Sequence, residues 1–368
     1  MSIMVTRSSM PSLEEYIEEI KPIFESRHLT NMGPVYQKLQ TQVRDYLGVP
    51  HVSMFVNGHM ALEMAIHALG LRKDGGEVIT TPFTFVSTVH AITRNGLRPV
   101  FCDVKPDDYT MDPAKIEALI TERTVAILPV HVYGNVCDVE AIDAIAKKHG
   151  LKVIYDAAHA FGVKYKGVGV GNFGDASMFS FHATKVFNTI EGGCVTFKDE
   201  ALCEPLHELK NFGIHGEDVT AVGGNAKMDE FRAAMGVCNL RHIEEAITSR
   251  GEAVARYRER LGNVPGIRLC DPQQDVQTNY AYFPVYFDEA VFGKSRDEVM
   301  EVLKAHDIFA RKYFYPAINE MSCYKDNHPQ NTPVAHDASV HILTLPLFER
   351  LCVEIVDRIC NVILNDSL

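Results

Sequence analysis

The chain has 368 residues, 46% of them hydrophobic and 23% charged, the balance of a globular protein with room for two packed domains. Its 36 basic residues against 48 acidic ones leave a formal net charge of −12, which argues against non-specific binding to nucleic acid. The nine cysteines are scattered and lack C-x-x-C spacing, no apolar run approaches transmembrane length, and residues 1–14 lack a signal-peptide core. These features predict a soluble cytoplasmic protein with reduced thiols, no metal site, and neither nucleic acid nor membrane as partner.

In chain order, residues 12–47 read as two helices separated by the turn signal Leu29-Thr-Asn-Met-Gly-Pro34, with Val35, Leu39, Val43 and Leu47 at helical spacing in the second. That turn suits either a plain connector or a substrate-facing loop. From 51 to 200 the pattern changes to seven short β-rich runs, 51–56, 77–80, 98–104, 125–130, 152–155, 176–181 and 193–197. Helical stretches at 60–69, 84–94, 113–120 and 139–149 lie between most of them. This alternation predicts an α/β fold, a mostly parallel seven-stranded sheet with helices on both faces. The last two runs are joined by too little chain for a helical crossover, so one of them should be antiparallel. Helix returns over 200–262, interrupted at Gly223-Gly-Asn225 before a long amphipathic run, 228–261. Strand-like residues 280–287 and helices at 296–306 and 350–364 then suggest a smaller α+β unit. The expected division is 1–250 for the large domain, with its N-terminal helical segment, and 251–368 for the small one.

In open α/β sheets ligands sit at the carboxyl ends of the strands. After 51–56 comes Asn57-Gly58-His59, a strand-to-helix turn whose backbone N–H groups could hold a phosphate, or an ordinary connection. After 77–80, Phe85 is either a core residue or an aromatic platform for a planar ring. After 152–155 comes Asp156, a carboxylate that needs a partner, either a cation of the protein or a protonated pyridine nitrogen. After 176–181 comes Lys185, with Ser180 ahead of it. Lys185 is either a lysine that snorkels to solvent or one that forms a Schiff base with a carbonyl cofactor. As a set at successive strand ends these are the parts that pyridoxal 5'-phosphate (PLP) requires: an amine for its aldehyde, a carboxylate for its ring nitrogen, a stacking ring, and phosphate ligands in Gly58, the His59 amide and Ser180. Gly167-Val-Gly-Val-Gly171 has no following helix and reads as a turn, not a dinucleotide loop.

The motifs Asn57-Gly-His-Met-Ala-Leu62, Glu77-Val-Ile-Thr-Thr-Pro-Phe-Thr-Phe-Val-Ser-Thr88, Asp156-Ala-Ala-His-Ala-Phe-Gly162, Ser180-Phe-His-Ala-Thr-Lys185 and Glu191-Gly-Gly193 resemble those of the DegT/DnrJ/EryC1/StrS nucleotide-sugar aminotransferases, of PLP fold type I. The resemblance implies that Lys185 is the Schiff-base lysine, Asp156 the ring-nitrogen partner, His159 the neighbour of the cofactor's ring oxygen, Phe85 the stacking aromatic and Ser180 a phosphate ligand. It implies that Asn225 reaches the phosphate in the other subunit of a homodimer with shared active sites. One departure stands out: His59 replaces the family's usual threonine, a phosphate ligand. The implied reaction moves an amino group from L-glutamate to a keto sugar. Lys185 argues against the dehydrating variant, which carries histidine there. The Ser-Phe-His-x-x-Lys and Glu-Gly-Gly wording resembles the branch aminating C4 of dTDP-4-keto-6-deoxyglucose. A C3 aminotransferase and a non-catalytic regulatory member are the alternatives. Tyr313, Tyr315, Lys210 and His215 are candidate contacts for the nucleotide sugar, each with a surface role as the alternative.

Overall fold

The computed structural model describes residues 2–71, 75–325 and 331–365. The seven expected runs form one sheet of β1 (His51–Phe55), β2 (Glu77–Thr80), β3 (Arg98–Phe101), β4 (Thr124–Leu128), β5 (Lys152–Asp156), β6 (Ala176–Ser180) and β7 (Gly193–Phe197), in the order β1-β7-β6-β5-β4-β2-β3. Six strands run one way. β7 is antiparallel to both its neighbours, because the link 181–192 forms only turns and has no room for the helix of a parallel crossover.

Side chains along each strand alternate between two cores, as the period of two requires. Met54, Ile127, Val153, Tyr155 and Phe179 point into one core with the buried faces of α2 (Pro34–Leu47), α5 (Val139–His149) and α7 (Glu230–Arg241). Phe55, Ala126, Leu128, Ile154 and Met178 point into the other, with α3 (Gly58–Ala68), α4 (Val86–Arg94) and α6 (Cys203–Leu209). On α2 the buried residues are Val35, Tyr36, Leu39, Val43 and Leu47, the stripe expected from their spacing. Two expectations fail. Residues 113–120 form two short 3₁₀ turns, since Ile116 is their sole fully buried side chain and no helical-length apolar face exists to bury. The run 228–261 is two helices, α7 and α8 (Ile243–Leu261), broken at His242. The break redirects the chain, so that Ile243 and Ile247 stay with the core on the sheet while Ala253, Tyr257 and Leu261 join a third core.

That third core belongs to a smaller α+β unit. An antiparallel sheet of Ile267–Leu269, Phe283–Phe287 and Ile342–Leu345 packs against helices Arg296–Ala305 and Val353–Asn365. The N-terminal Ile3–Met4 pairs with Ile308–Phe309 and adds Ile3 to the same core. Gly167 turns a small hairpin at φ +77°, the turn expected of that glycine-rich run. All nine cysteines are free. Among the described residues no helix is long and apolar enough to cross a membrane.

Candidate active site

The carboxyl ends of β1, β5 and β6 meet at one corner. Gly193 of β7 pairs with both Phe55 and Ser180, which draws β1 and β6 together at the level where α3 begins. The approach is tight. A Cβ on Gly193 would lie 2.7 Å from the Gly58 backbone, and one on Gly58 would lie 2.8 Å from Ser180 Cβ. Glycine at both positions therefore lets the first turn of α3 lie directly against β6 and β7. Asn57 caps that helix, its Oδ1 accepting from the Met60 N–H at 2.8 Å. The N–H groups of Gly58 and His59 precede Met60 in the first turn, where a helix has no carbonyls of its own to offer.

A cleft of about 400 Å³ opens at this corner, lined by Gly58, His59, Phe85, Asp156, His159, Ser180, Lys185 and Tyr313 among others. Phe85 is no core residue: it precedes α4 with 57% of its surface exposed. Lys185 does not snorkel outward. It is half-buried in the cleft, its Nζ donating to the Tyr282 hydroxyl at 3.4 Å. Burial pulls its ammonium down to about 8, with the negative charge of Asp156 opposing the shift.

Asp156 ends β5 almost fully buried, and its partners are neutral donors. Thr88 Oγ1 donates to Oδ2 at 2.7 Å and the Ala158 N–H to Oδ1 at 3.0 Å. Burial raises the carboxyl above its ordinary range, and these donors and Lys185 hold it back. Because Thr88 spends its hydrogen on Asp156, the Thr84 hydroxyl, 3.0 Å away, must donate to Thr88, which gives a directed chain Thr84 to Thr88 to Asp156. His159 Nδ1 accepts the Tyr133 N–H at 3.1 Å, so the neutral ring carries its hydrogen on Nε2. Burial holds that ring well below the ordinary histidine range, which keeps it neutral. Its plane lies within 2° of Phe314, centroids 5.9 Å apart.

A lysine amine, a buried carboxylate, an exposed aromatic face and an anion-ready helix start share this cleft. The family description that matches the chain, over residues 12–364, is DegT/DnrJ/EryC1/StrS aminotransferase. The chain belongs to this family. It is 42% identical over 363 residues, 98% of each protein, to the dTDP-4-amino-4,6-dideoxy-D-glucose transaminase of Shigella dysenteriae. Its fold matches the crystal structure of DesI in the presence of its TDP-sugar product with a TM-score of 0.95 and 35% identity, over 100% of this chain and 93% of DesI. The PLP form of Spr1654 from Streptococcus pneumoniae matches with a TM-score of 0.90 and 26% identity, over 98% of both chains. This chain is thus a sugar aminotransferase by family, with the mostly parallel α/β sheet that its sequence predicts.

Four of the expected aminotransferase site residues lie elsewhere. Lys210 is a correction. It is 3% exposed, behind β1, with Nζ donating to Tyr36 Oη at 2.9 Å and Ser53 Oγ at 3.0 Å. A lysine enclosed there cannot reach a substrate in the cleft. His215 is exposed in a short hairpin, Ile214–His215 with Asp218–Val219, and binds Glu208 at 2.5 Å outside the cleft of its own chain. Asn225 is exposed at the base of the same excursion, bridged to Asn211. Tyr315 faces solvent at 48% exposure, its ring beneath Arg296 and Lys312 and not on the cleft wall. Other residues of the site escaped sequence reasoning: Tyr282, Arg311, Phe314 and Ser87 on the cleft wall, and Thr88, buried behind it against Asp156. Thr88 was findable, since it sits three residues after Phe85 and four after Thr84, one helical turn along the same face. Tyr282, Arg311 and Phe314 come from the distant small unit, and no local pattern marks them.

Proposed function

We propose that this chain uses PLP to aminate C4 of dTDP-4-keto-6-deoxyglucose with L-glutamate as donor, giving dTDP-4-amino-4,6-dideoxyglucose. The observation that carries the reading is the pairing of a half-buried, easily deprotonated Lys185 with Asp156, buried and hydrogen-bonded once on each oxygen, in one cleft. The donor set fits the cofactor: the start of α3 and Ser180 for the phosphate, Phe85 for the ring face, His159 Nε2–H for the ring oxygen, Asp156 for the ring nitrogen. When bound, PLP supplies an exchangeable aldehyde and a ring that withdraws electrons.

The chain's own residues then have separable tasks. Lys185 Nζ would hold the aldehyde of PLP, and as a free amine it would hold and move the proton. A lysine titrating at about 8 is well placed for both directions of transfer near neutral pH. Asp156, with its oxygens held by Thr88 and Ala158, keeps a positive ring nitrogen favourable. Tyr282 fixes where the free amine rests. Arg311, exposed at the cleft and bonded to the Tyr313 hydroxyl, is the cation available for the carboxylate of glutamate or the diphosphate of the sugar nucleotide.

Shared active sites in a homodimer belong to the same reading. The excursion 211–225 exposes Phe212, Ile214, Val219 and Val222 on a short two-stranded ribbon. Such an apolar arm is costly to leave in water, and Asn225 lies at its base. Incubation with L-glutamate and either the 4-keto or the 3-keto nucleotide sugar, with the amine located by NMR, tests the proposal. The 4-keto sugar should gain nitrogen at C4, with the cofactor absorbance bleaching on glutamate alone. Turnover of the 3-keto sugar only would overturn it.

A further inference from the structure

A second polar chain reaches the cleft alongside the residues assigned above. His59 Nδ1 lies 2.9 Å from Ser87 Oγ, and its Nε2 lies 3.6 Å from Glu63 Oε2, one turn further along α3. Arg94 at the end of α4 donates to that same carboxylate oxygen at 2.7 Å, and Asn95 donates to the Glu63 carbonyl at 3.1 Å. His59 and Ser87 line the cleft, and Glu63 stands behind them. The order from the back of the site forward is Arg94, Glu63, His59, Ser87.

Counting hydrogens along this chain gives two states. A neutral imidazole has one N–H and one lone pair, and an ionised carboxylate only accepts. At 3.6 Å the Glu63 carboxylate is too far for a hydrogen bond to Nε2, but its negative charge favours the neutral tautomer that carries the hydrogen on Nε2, facing it. Nδ1 must then accept the Ser87 hydroxyl hydrogen, and Ser87 offers only lone pairs to the cleft. In the protonated ring both nitrogens carry hydrogen. Nδ1–H donates to Ser87 Oγ, and the Ser87 hydrogen is free to turn outward. The first state repels an anion and the second binds one.

We propose that Glu63, His59 and Ser87 form a proton-linked anion latch: a phosphate seated at the start of α3 draws one proton from solvent onto His59 and receives the Ser87 O–H. The proposal rests on the reading of this end of the cleft as the phosphate seat of PLP. It also gives the residue that replaces the family's usual threonine a task, since the hydroxyl comes from Ser87 on the neighbouring helix.

The latch is open without an anion. Burial holds the His59 ring below the ordinary histidine range, and Arg94 and His90, both on α4, push the same way. Glu63 on α3 and a hydrogen bond to the Ser87 backbone oppose them. A phosphate dianion adds attraction for the imidazolium, so the bound state has the higher pKa. Affinity is then greatest at low pH and falls as pH rises through the bound-state value.

The test is titration of the apoprotein with PLP from about pH 6 to about pH 8.5, followed by absorbance, for wild type, His59→Gln and Ser87→Ala, with unphosphorylated pyridoxal as the control ligand. The wild-type advantage over either variant should shrink by up to about tenfold per pH unit for PLP and stay level for pyridoxal. Calorimetry of the wild type in two buffers of different ionisation enthalpy, at about pH 7.5 where a free phosphate monoester is already largely dianionic, should show more proton uptake with PLP than with pyridoxal. A level ratio for PLP, or equal uptake with both ligands, would overturn the latch and leave the cofactor reading intact. Failure of the wild type to bind PLP at all would overturn both.

Discussion

Thr88→Val keeps the shape of threonine but removes one hydroxyl from the support of Asp156, and with it the acceptor of the Thr84 hydroxyl, a neutral bond whose loss costs about the same at every pH. Thr88 and Asp156 are buried, and the bond between them is 2.7 Å long. A hydrogen bond to a charged group contributes about 1.5–3 kcal/mol, one between neutral groups about 0.5–1.5 kcal/mol. The variant should therefore lose about 1.5–3 kcal/mol of stability at about pH 8, where Asp156 is ionised. The sign at low pH follows from the raised carboxyl. Burial makes the ionised form unfavourable in the fold, so wild-type stability falls as pH rises from the unfolded carboxylate range through the folded value. Losing Thr88 raises that folded value further, so the variant falls more. Its penalty should be smaller by about 1 kcal/mol at about pH 4, toward the protonated side of that raised range, where the bonds lost are neutral ones. Urea unfolding of apoprotein at both pH values, wild type against variant, measures this. A penalty that is equal at the two pH values, or under about 0.5 kcal/mol at the higher one, would refute the claim that Thr88 acts on the charged form of Asp156.

Lys185 should capture an aldehyde covalently at a rate that rises with pH and levels off above about 8; stopped-flow absorbance should show Asp156→Asn shifting that midpoint downward, because the charge that favours the ammonium is gone. Lys185→Ala should leave cofactor bound without covalent attachment, read as loss of the protein-linked absorbance band, and should cut turnover by at least about 10³-fold. Lys210 is pulled down to about 7 by burial, so the unfolded chain binds more protons above that value and wild-type stability gains up to about 1.4 kcal/mol per pH unit from it between neutrality and the ordinary lysine range. Lys210→Met should remove that slope in unfolding experiments, and an unchanged slope would contradict its burial. Gly193→Ala would place a Cβ 2.7 Å from the Gly58 backbone, so it should weaken PLP and inorganic phosphate binding together, by equilibrium titration, while Gly167→Ala in the distant hairpin should leave both unchanged.

The sheet, and the half of the site carried by its strand ends, were legible in local pattern alone. Alternation of period two, helical spacing and strand–helix turns are local properties, so β1 to β7 could be read within three residues, and so could the placement of Gly58, Asp156, Ser180 and Lys185 at or just past their ends. That one of the last two strands runs against the other was legible too, because the link 181–192 is too short for a helical crossover. The break of α7 from α8 at His242 was not, since the apolar periodicity runs on across it while the two helices serve different cores. The failures in the site have the same origin. Lys210 carries the same charge and sits in the same kind of polar stretch whether it meets a diphosphate or hides behind β1. Only tertiary packing put it beside Tyr36 and Ser53. Tyr282, Arg311 and Phe314 reach the cleft across roughly a hundred residues of chain, so no spacing rule connects them to Lys185. The hydrogen-bond directions from Thr84 to Asp156, and from Glu63 to Ser87, were likewise decided by how α3 and α4 lie side by side on the sheet. Which residues can do chemistry is a matter of type and local position; which of them share a hydrogen is a matter of distances that only the folded chain sets.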